Sequence, residues 1–121
     1  MRADEHWDKA ARLEASRNKG LNDRDDYEMI IWSCIHGGAQ LASLFLHREG
    51  ITPDDQDQIH SDVPELNQKL PPHVTDFLAL LKSIEDLGPR FIRGFESVDS
   101  SVVASCLESY EKLKALAKEA L

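Results

Sequence analysis

The chain has 121 residues, 41% of them hydrophobic and 30% charged, which is typical of one soluble globular domain and excludes a fibrous or disordered protein. Its 22 acidic and 14 basic residues give a net charge of −8, which disfavours nucleic acid as a partner because such binding needs clustered Lys and Arg. We expect residues 1–121 to form a single domain. Cys34 and Cys106 both lie in apolar helical patterns, which indicates buried thiols and a cytoplasmic protein.

The first predicted helix runs from Ala3 to Leu21. Its apolar residues recur at helical spacing and form one stripe: Ala3, Trp7, Ala10, Ala11 and Leu21. Gly20 is typical of a helix end. Glu14 lies in the middle of the stripe, so we expect its carboxylate to be hydrogen-bonded or to reach solvent.

The second predicted helix is the apolar stretch from Tyr27 to about Arg48, which is followed by Gly50. Its first 21 residues read YEMIIWSCIHGGAQLASLFLH, with no charged residue between Met29 and Leu46. The pattern predicts a core helix that is apolar on nearly all sides and must be covered by other helices, from this chain or a second copy. Gly37 and Gly38 cost about 1 kcal/mol each in helix propensity, and we expect close packing of a neighbouring helix to offset that cost.

The same stretch raises the question of a membrane span. Its 18 charge-free residues are at the lower limit of the length that crosses a bilayer. It also contains His36 and Gln40, and it begins next to acidic residues without a basic flank. These features favour the core helix of a protein that does not enter a membrane.

The second half of the chain predicts two further long helices. Residues 51–72 predict a connection with one or two short helical turns, and Pro71-Pro72 begins the third helix, which breaks at Gly88-Pro89. Asp99 is the predicted N-cap of the last helix, with Val98 and Val103 as a hydrophobic staple. No segment alternates like a strand. The sequence therefore predicts an all-α fold, an up-down four-helix bundle.

Three residues are candidate ligand-binding residues. Arg90 and Arg93 alternate with aromatic residues and could together hold a phosphate or carboxylate; pairing with the acids of this protein explains them equally. His36 lies deep in the apolar helix, where it is either a hydrogen-bonded core histidine or part of a buried functional centre.

A metal site is conceivable from His47, Asp57 and His60. The chain has neither two histidines four residues apart nor a glutamate three residues before a histidine, which are spacings that bind metals in bundles, and helix capping explains the same three residues. We therefore favour neither a metal nor a cofactor. The sequence contains no phosphate loop, no nucleophile elbow and no paired-carboxylate spacing, so no motif indicates catalysis.

The order of the elements resembles the HEPN superfamily of small helical bundles. The features that carry the resemblance are the small residues Ala10 and Ala11 in the first helix, the long apolar helix from Tyr27, the His60-Ser61-Asp62 connection, the Pro89-Arg90-Phe91 segment and the final SVVASCLESYEKLKALAKEAL helix. The resemblance implies a helical bundle that forms a homodimer. Many HEPN members are RNases that use an arginine followed closely by a histidine, but here no histidine occurs after His73.

These observations leave three hypotheses of function. The first is a non-catalytic, dimeric, HEPN-like binding or regulatory protein, for either a protein partner or a small anionic or nucleotide ligand. The second is a metal-dependent enzyme that uses His47, His60 and the acidic residues between Asp54 and Asp57. The third is an RNase-related toxin–antitoxin component with a degenerate site.

Overall fold

The described part of the protein is all-helical, as predicted. The computed structural model describes residues 2–17, 27–53, 70–92, 94 and 97–121, and within these ranges there is no strand. The elements in chain order are α1 (Ala3–Arg17), α2 (Tyr27–Arg48), α3 (Pro72–Glu85), a π-helical turn (Gly88–Ile92) and α4 (Ser100–Glu119). The predicted end of the first helix at Leu21 and most of the predicted short turns of 51–72 lie outside the described residues.

The helix ends that are described follow the predicted signals. α2 ends in a Schellman motif, in which the Ile51 amide donates to the Leu46 carbonyl over 2.9 Å and Gly50 has a φ of 72°. α4 begins at the Asp99 cap, whose carboxylate accepts the Val102 amide over 3.0 Å. The predicted break at Gly88-Pro89 takes the form of the π-helical turn.

α2 is the centre of the fold. It packs against α1, α3, α4 and the π-helical turn, and most of its residues are buried. The Phe45 ring of α2 stacks on the Phe77 ring of α3 with the centroids 4.0 Å apart. One face of α3 is buried, and it consists of apolar residues at helical spacing: Val74, Phe77, Leu78, Leu81 and Ile84.

The two central glycines of α2 are sites of close helix packing, as predicted. A Cβ added at Gly37 would lie 2.8 Å from the hydroxyl and 3.0 Å from Cε2 of Tyr110 on α4. A Cβ added at Gly38 would lie 3.1 Å from a methyl carbon of Leu81 on α3. α2 therefore lacks side chains where α3 and α4 come closest, which offsets the helix propensity that the two glycines lose.

α1 presents a different face to the core from the one predicted. Ala3 and Ala10 are buried as expected, but Ala11 is exposed and His6 is buried. The His6 Nδ1 atom lies 2.6 Å from the Gln40 side-chain oxygen on α2. This hydrogen bond satisfies the buried His6 imidazole. The predicted stripe contained apolar residues only, so it left out His6 and was rotated relative to the face that α1 buries.

Glu14 joins α1 to α4, and of the two alternatives expected for its carboxylate, a hydrogen-bonded or a solvent-exposed group, the structure has the hydrogen-bonded one. One carboxylate oxygen accepts the Tyr110 hydroxyl over 2.8 Å, and the other accepts the Lys114 ammonium over 2.8 Å. The Glu14 side chain is 14% exposed. A partly buried carboxylate with two donors, one of them charged, is a favourable arrangement for linking two helices.

α2 is long and apolar enough to cross a membrane, judged by length and composition alone. The rest of the chain buries 67% of its most apolar window, as in the core helix of a soluble protein.

We expect Gly37→Ala to lower the free energy of unfolding by about 1–3 kcal/mol, because the new methyl group overlaps the Tyr110 hydroxyl that Glu14 holds in place. This loss outweighs a gain of about 1 kcal/mol in helix propensity. Urea unfolding followed by circular dichroism measures the change.

Gly38→Ala is the matched control, and we expect it to stay within about 1 kcal/mol of wild type because its nearest neighbour is the flexible end of Leu81. In a Tyr110→Phe background Gly37→Ala should cost less, since the closest atom is gone. Equal effects at the two glycines would contradict the packing that we describe.

Candidate functional site

A cleft of about 330 Å³ lies where the π-helical turn meets the end of α3 and the first half of α4. Its polar lining is Arg90 with four hydroxyls, those of Ser83, Ser101, Ser105 and Ser109. Its apolar lining is Ile84, Leu87, Phe91, Val102 and Cys106. The cleft thus combines one cation, several hydroxyls and an apolar wall, and no carboxylate is among these lining residues.

Arg90 is positioned by the π-helical turn. Its guanidinium carbon lies 4.8 Å from the centroid of the Phe91 ring, and Phe91 itself is buried. After the turn, the backbone at Gly94 lies close to the backbone of Pro89. A Cβ added at Gly94 would lie 2.8 Å from the Pro89 carbonyl oxygen. The turn therefore requires glycine at position 94, and it fixes the backbone that carries Arg90.

The serines of α4 form a row, because residues 101, 105 and 109 follow one another at about one helical turn. Ser101 donates to the Asp99 carboxylate over 2.5 Å, and Ser83 donates to the Leu80 carbonyl over 2.6 Å. Ser105 and Ser109 make no hydrogen bond to the described residues. Two hydroxyls of the row are therefore available to donate to a ligand oxygen.

His36 is not in the core, which corrects the sequence-based expectation. It is exposed, and its ring lies 4.1 Å from the Trp32 ring, centroid to centroid. Met29, Trp32 and His36 follow at helical spacing on the one side of α2 that the described chain leaves open, and His36 does not line the Arg90 cleft. We call these three residues the α2 stripe.

His47, by contrast, is buried, and its side chain contacts neighbouring residues of the fold. Its Nδ1 atom lies 2.9 Å from the Thr52 hydroxyl and 3.2 Å from the Thr52 carbonyl oxygen, and its ring centroid is 5.3 Å from that of His6. These contacts hold the turn after α2 against the helix.

The other members of the candidate sites lie outside the described residues: Arg93 of the anion site, and Asp57 and His60 of the alternative metal site. Within the ranges that the structure describes, no group of three or more His, Cys, Asp or Glu side chains could hold a metal ion.

Two features of the structure, one in the cleft and one in the core, were not singled out from the sequence. The serine row is visible as Ser101, Ser105 and Ser109, a spacing of four on a predicted helix, but only the position of α3 and the π-helical turn makes it the wall of a cleft. The burial of His6 depends on Gln40, a partner 34 residues away, and no local signal predicts that contact.

Comparison with known proteins gives no match to this chain among family models, curated proteins or solved structures.

We expect Thr52→Val to lower the free energy of unfolding by about 1 kcal/mol, because it removes the hydroxyl next to the buried His47 Nδ1 atom and keeps the side-chain shape. Thr75→Val, which removes an exposed hydroxyl on α3, should change it by less than about 0.5 kcal/mol. Thermal and urea unfolding of both variants measure the difference. Equal effects would show that His47 does not depend on Thr52.

Proposed function

We propose that this protein is a non-catalytic, HEPN-like, up-down helical bundle that acts in the cytoplasm as a homodimeric binding protein for a small anionic ligand. The observation that carries the proposal is the Arg90 cleft, which is lined by a guanidinium held over the Phe91 ring, by serine hydroxyls and by an apolar wall. Binding sites for small molecules commonly have this composition: a mostly apolar lining with a few polar groups that fix orientation.

Arginine is the main recognition element of the proposed site. A guanidinium binds a carboxylate or phosphate through two parallel hydrogen bonds, and it keeps its charge at any physiological pH. Ser105 and Ser109 add neutral donors on the facing helix. In a chain of net charge −8, a cleft whose described lining residues include an arginine and no carboxylate supports a local site for an anion.

The cleft lining supports binding more than catalysis. General acid–base chemistry needs a side chain that exchanges a proton near the working pH, and the described residues that line the cleft include no His, Asp or Glu. The Cys106 thiol lines the cleft, but it is only 2% exposed. A nucleophilic thiol must be exposed and have a depressed pKa, and the Cys106 thiol is not exposed.

The α2 stripe supports the dimer. Met29 is 52% exposed and Trp32 is 41% exposed, in the first two turns of an apolar helix whose residues are otherwise mostly buried. Trp and Met are enriched and charges are depleted at the centres of protein interfaces. A two-fold axis through the stripe would pack the same three residues against themselves, which is the commonest form of homodimer.

We expect the wild-type protein to bind at least one of three probe anions, inorganic phosphate, adenosine monophosphate or hexanoate, in calorimetric titration. Arg90→Gln should weaken that binding about tenfold or more, because it removes charged hydrogen bonds. Arg48→Gln is the control, since Arg48 is an exposed arginine outside the cleft at the end of α2. No binding by any probe, or equal loss in both variants, would overturn the ligand proposal.

We expect Trp32→Glu to weaken the dimer at least about thirtyfold, because it buries a carboxylate at the centre of the interface and removes an aromatic anchor. Sedimentation equilibrium at micromolar concentration measures the dissociation. Leu121→Glu, a change at another exposed apolar residue outside the stripe, should leave the dimer intact. A wild-type monomer at these concentrations would refute the dimer.

A further inference from the structure

α1 is attached to the fold differently from the other helices. α3 and α4 pack against α2 and against each other, whereas among the described elements α1 packs mainly against α2. The buried residues of α1 are Ala3, His6 and Ala10, and no Leu, Ile, Val or Phe is buried among its described residues. α3 buries five apolar side chains that are larger than alanine. The hydrophobic effect therefore holds α1 less firmly than α3, because less apolar surface is buried.

The packing beneath α1 is also incomplete. A small, partly open cavity of about 40 Å³ lies between α1, α2 and α4. Its lining residues are Trp7, Ala10, Ala11, Glu14, Leu41 and Lys114. Trp7 has the largest side chain of α1, and it is only half-buried. Atoms that line a void lose dispersion contacts, so the contact of α1 with its neighbours is weaker than the close packing of a core.

Polar contacts connect α1 to the rest of the fold at two points. Near the start of α1, the His6 Nδ1 atom lies 2.6 Å from the Gln40 side-chain oxygen. Near its end, Glu14 accepts hydrogen bonds from the Tyr110 hydroxyl and the Lys114 ammonium, each over 2.8 Å. Hydrogen bonds that involve charged groups are stronger than those between neutral groups. Glu14 is therefore the stronger of the two links.

α1 covers the second half of a side of α2 whose first half is open. Met29, His36, Gln40 and His47 are separated by 7, 4 and 7 residues, so they lie along one side of α2. Met29 and His36 belong to the exposed α2 stripe, whereas Gln40 and His47 contact His6 of α1. At 1.5 Å per residue, the stripe spans about 10 Å from Met29 to His36, and His47 lies about 27 Å from Met29. Release of α1 therefore uncovers more of this side of α2.

We propose that α1 is a displaceable strap. It opens and closes as one unit while α2, α3 and α4 stay folded, and the ion pair of Glu14 with Lys114 is its latch. In the open state the exposed side of α2 extends beyond the stripe toward His47. The opening of α1 depends on neither the anion site nor the dimer of the proposed function, because only the contacts of α1 are involved.

Hydrogen exchange measures the opening of α1. A detached helix of 15 residues is marginal in water, so the amides of α1 lose their hydrogen bonds when the strap opens. The experiment is native-state hydrogen exchange of the full chain, followed by NMR at low urea concentrations. We expect the hydrogen-bonded amides of α1 to share one opening constant, at least about tenfold larger than that of the most protected amides of α3 and α4.

Glu14→Gln tests the latch, because it keeps an acceptor for the Tyr110 hydroxyl and removes the ion pair with Lys114. We expect the opening constant of all of α1 to rise about tenfold. Lys114→Gln removes the same ion pair from the side of α4 and should give a similar factor. Glu108→Gln is the matched control, since it removes an exposed ion pair with Lys112 within α4, and it should change the opening constant of α1 by less than about twofold.

Ile84→Val tests whether α1 opens separately from the rest of the domain. It removes one buried methylene from α3 and should raise the opening constants of the most protected α3 and α4 amides about threefold or more. The opening constant of α1 should not change, because α3 stays folded when the strap opens. An equal rise in α1 would show that α1 unfolds only with the whole domain and would overturn the inference.

Two further outcomes would also overturn it. Opening constants that decrease steadily from Ala3 toward Arg17 would show that the chain end frays and that α1 does not open as one unit. An effect of Glu14→Gln no larger than that of Glu108→Gln would show that the ion pair with Lys114 is not a latch.

Discussion

The contact of Tyr110 with Gly37 is the constraint on which the arrangement of three helices depends. Because α2 has no side chain at that position, the Tyr110 ring can lie against its backbone and extend its hydroxyl to Glu14 on α1. Lys114 reaches the same carboxylate from one turn further along α4. A single hydrogen-bonded cluster therefore sets the distance between α2 and α4 and also holds α1. The close packing and the hydrogen bonds stabilise the same arrangement of the three helices.

Both candidate surfaces follow from the limited area that this arrangement can cover. α2 is apolar on nearly all sides, but the other elements cover it incompletely, and the side with Met29 and Trp32 stays open. α3 and α4 each place one stripe against α2, and Leu116 stays 39% exposed on the outer side of α4. Of the four large hydrophobic residues that are exposed in the described part of the chain, only Met29 and Trp32 lie together, and an apolar patch of this kind is typical of a binding surface.

Features with local causes could be predicted from the sequence, and features with distant causes could not. The all-α class, the Asp99 cap and the stop after α2 all depend on residue type within a few positions. The adjacent glycines of α2 indicate close packing in the same way, but they do not identify Tyr110 as the neighbour. The environment of His36 depends on which side of α2 the other helices leave open, so a pattern that is apolar all round could not place it. The burial of His6 needed a polar partner 34 residues away, and the Arg90 cleft needed the position of α3 relative to α4.

The Glu14 cluster also has a consequence for the synthesis of the chain. Its partners lie 96 and 100 residues further along the sequence. At a translation rate of about 5–20 residues per second, the end of α2 leaves the ribosome about 3–13 s before Lys114 does. During that interval the most apolar helix of the protein lacks the element that packs over its two glycines. The nascent chain therefore presents a binding site for general chaperones that the finished fold removes.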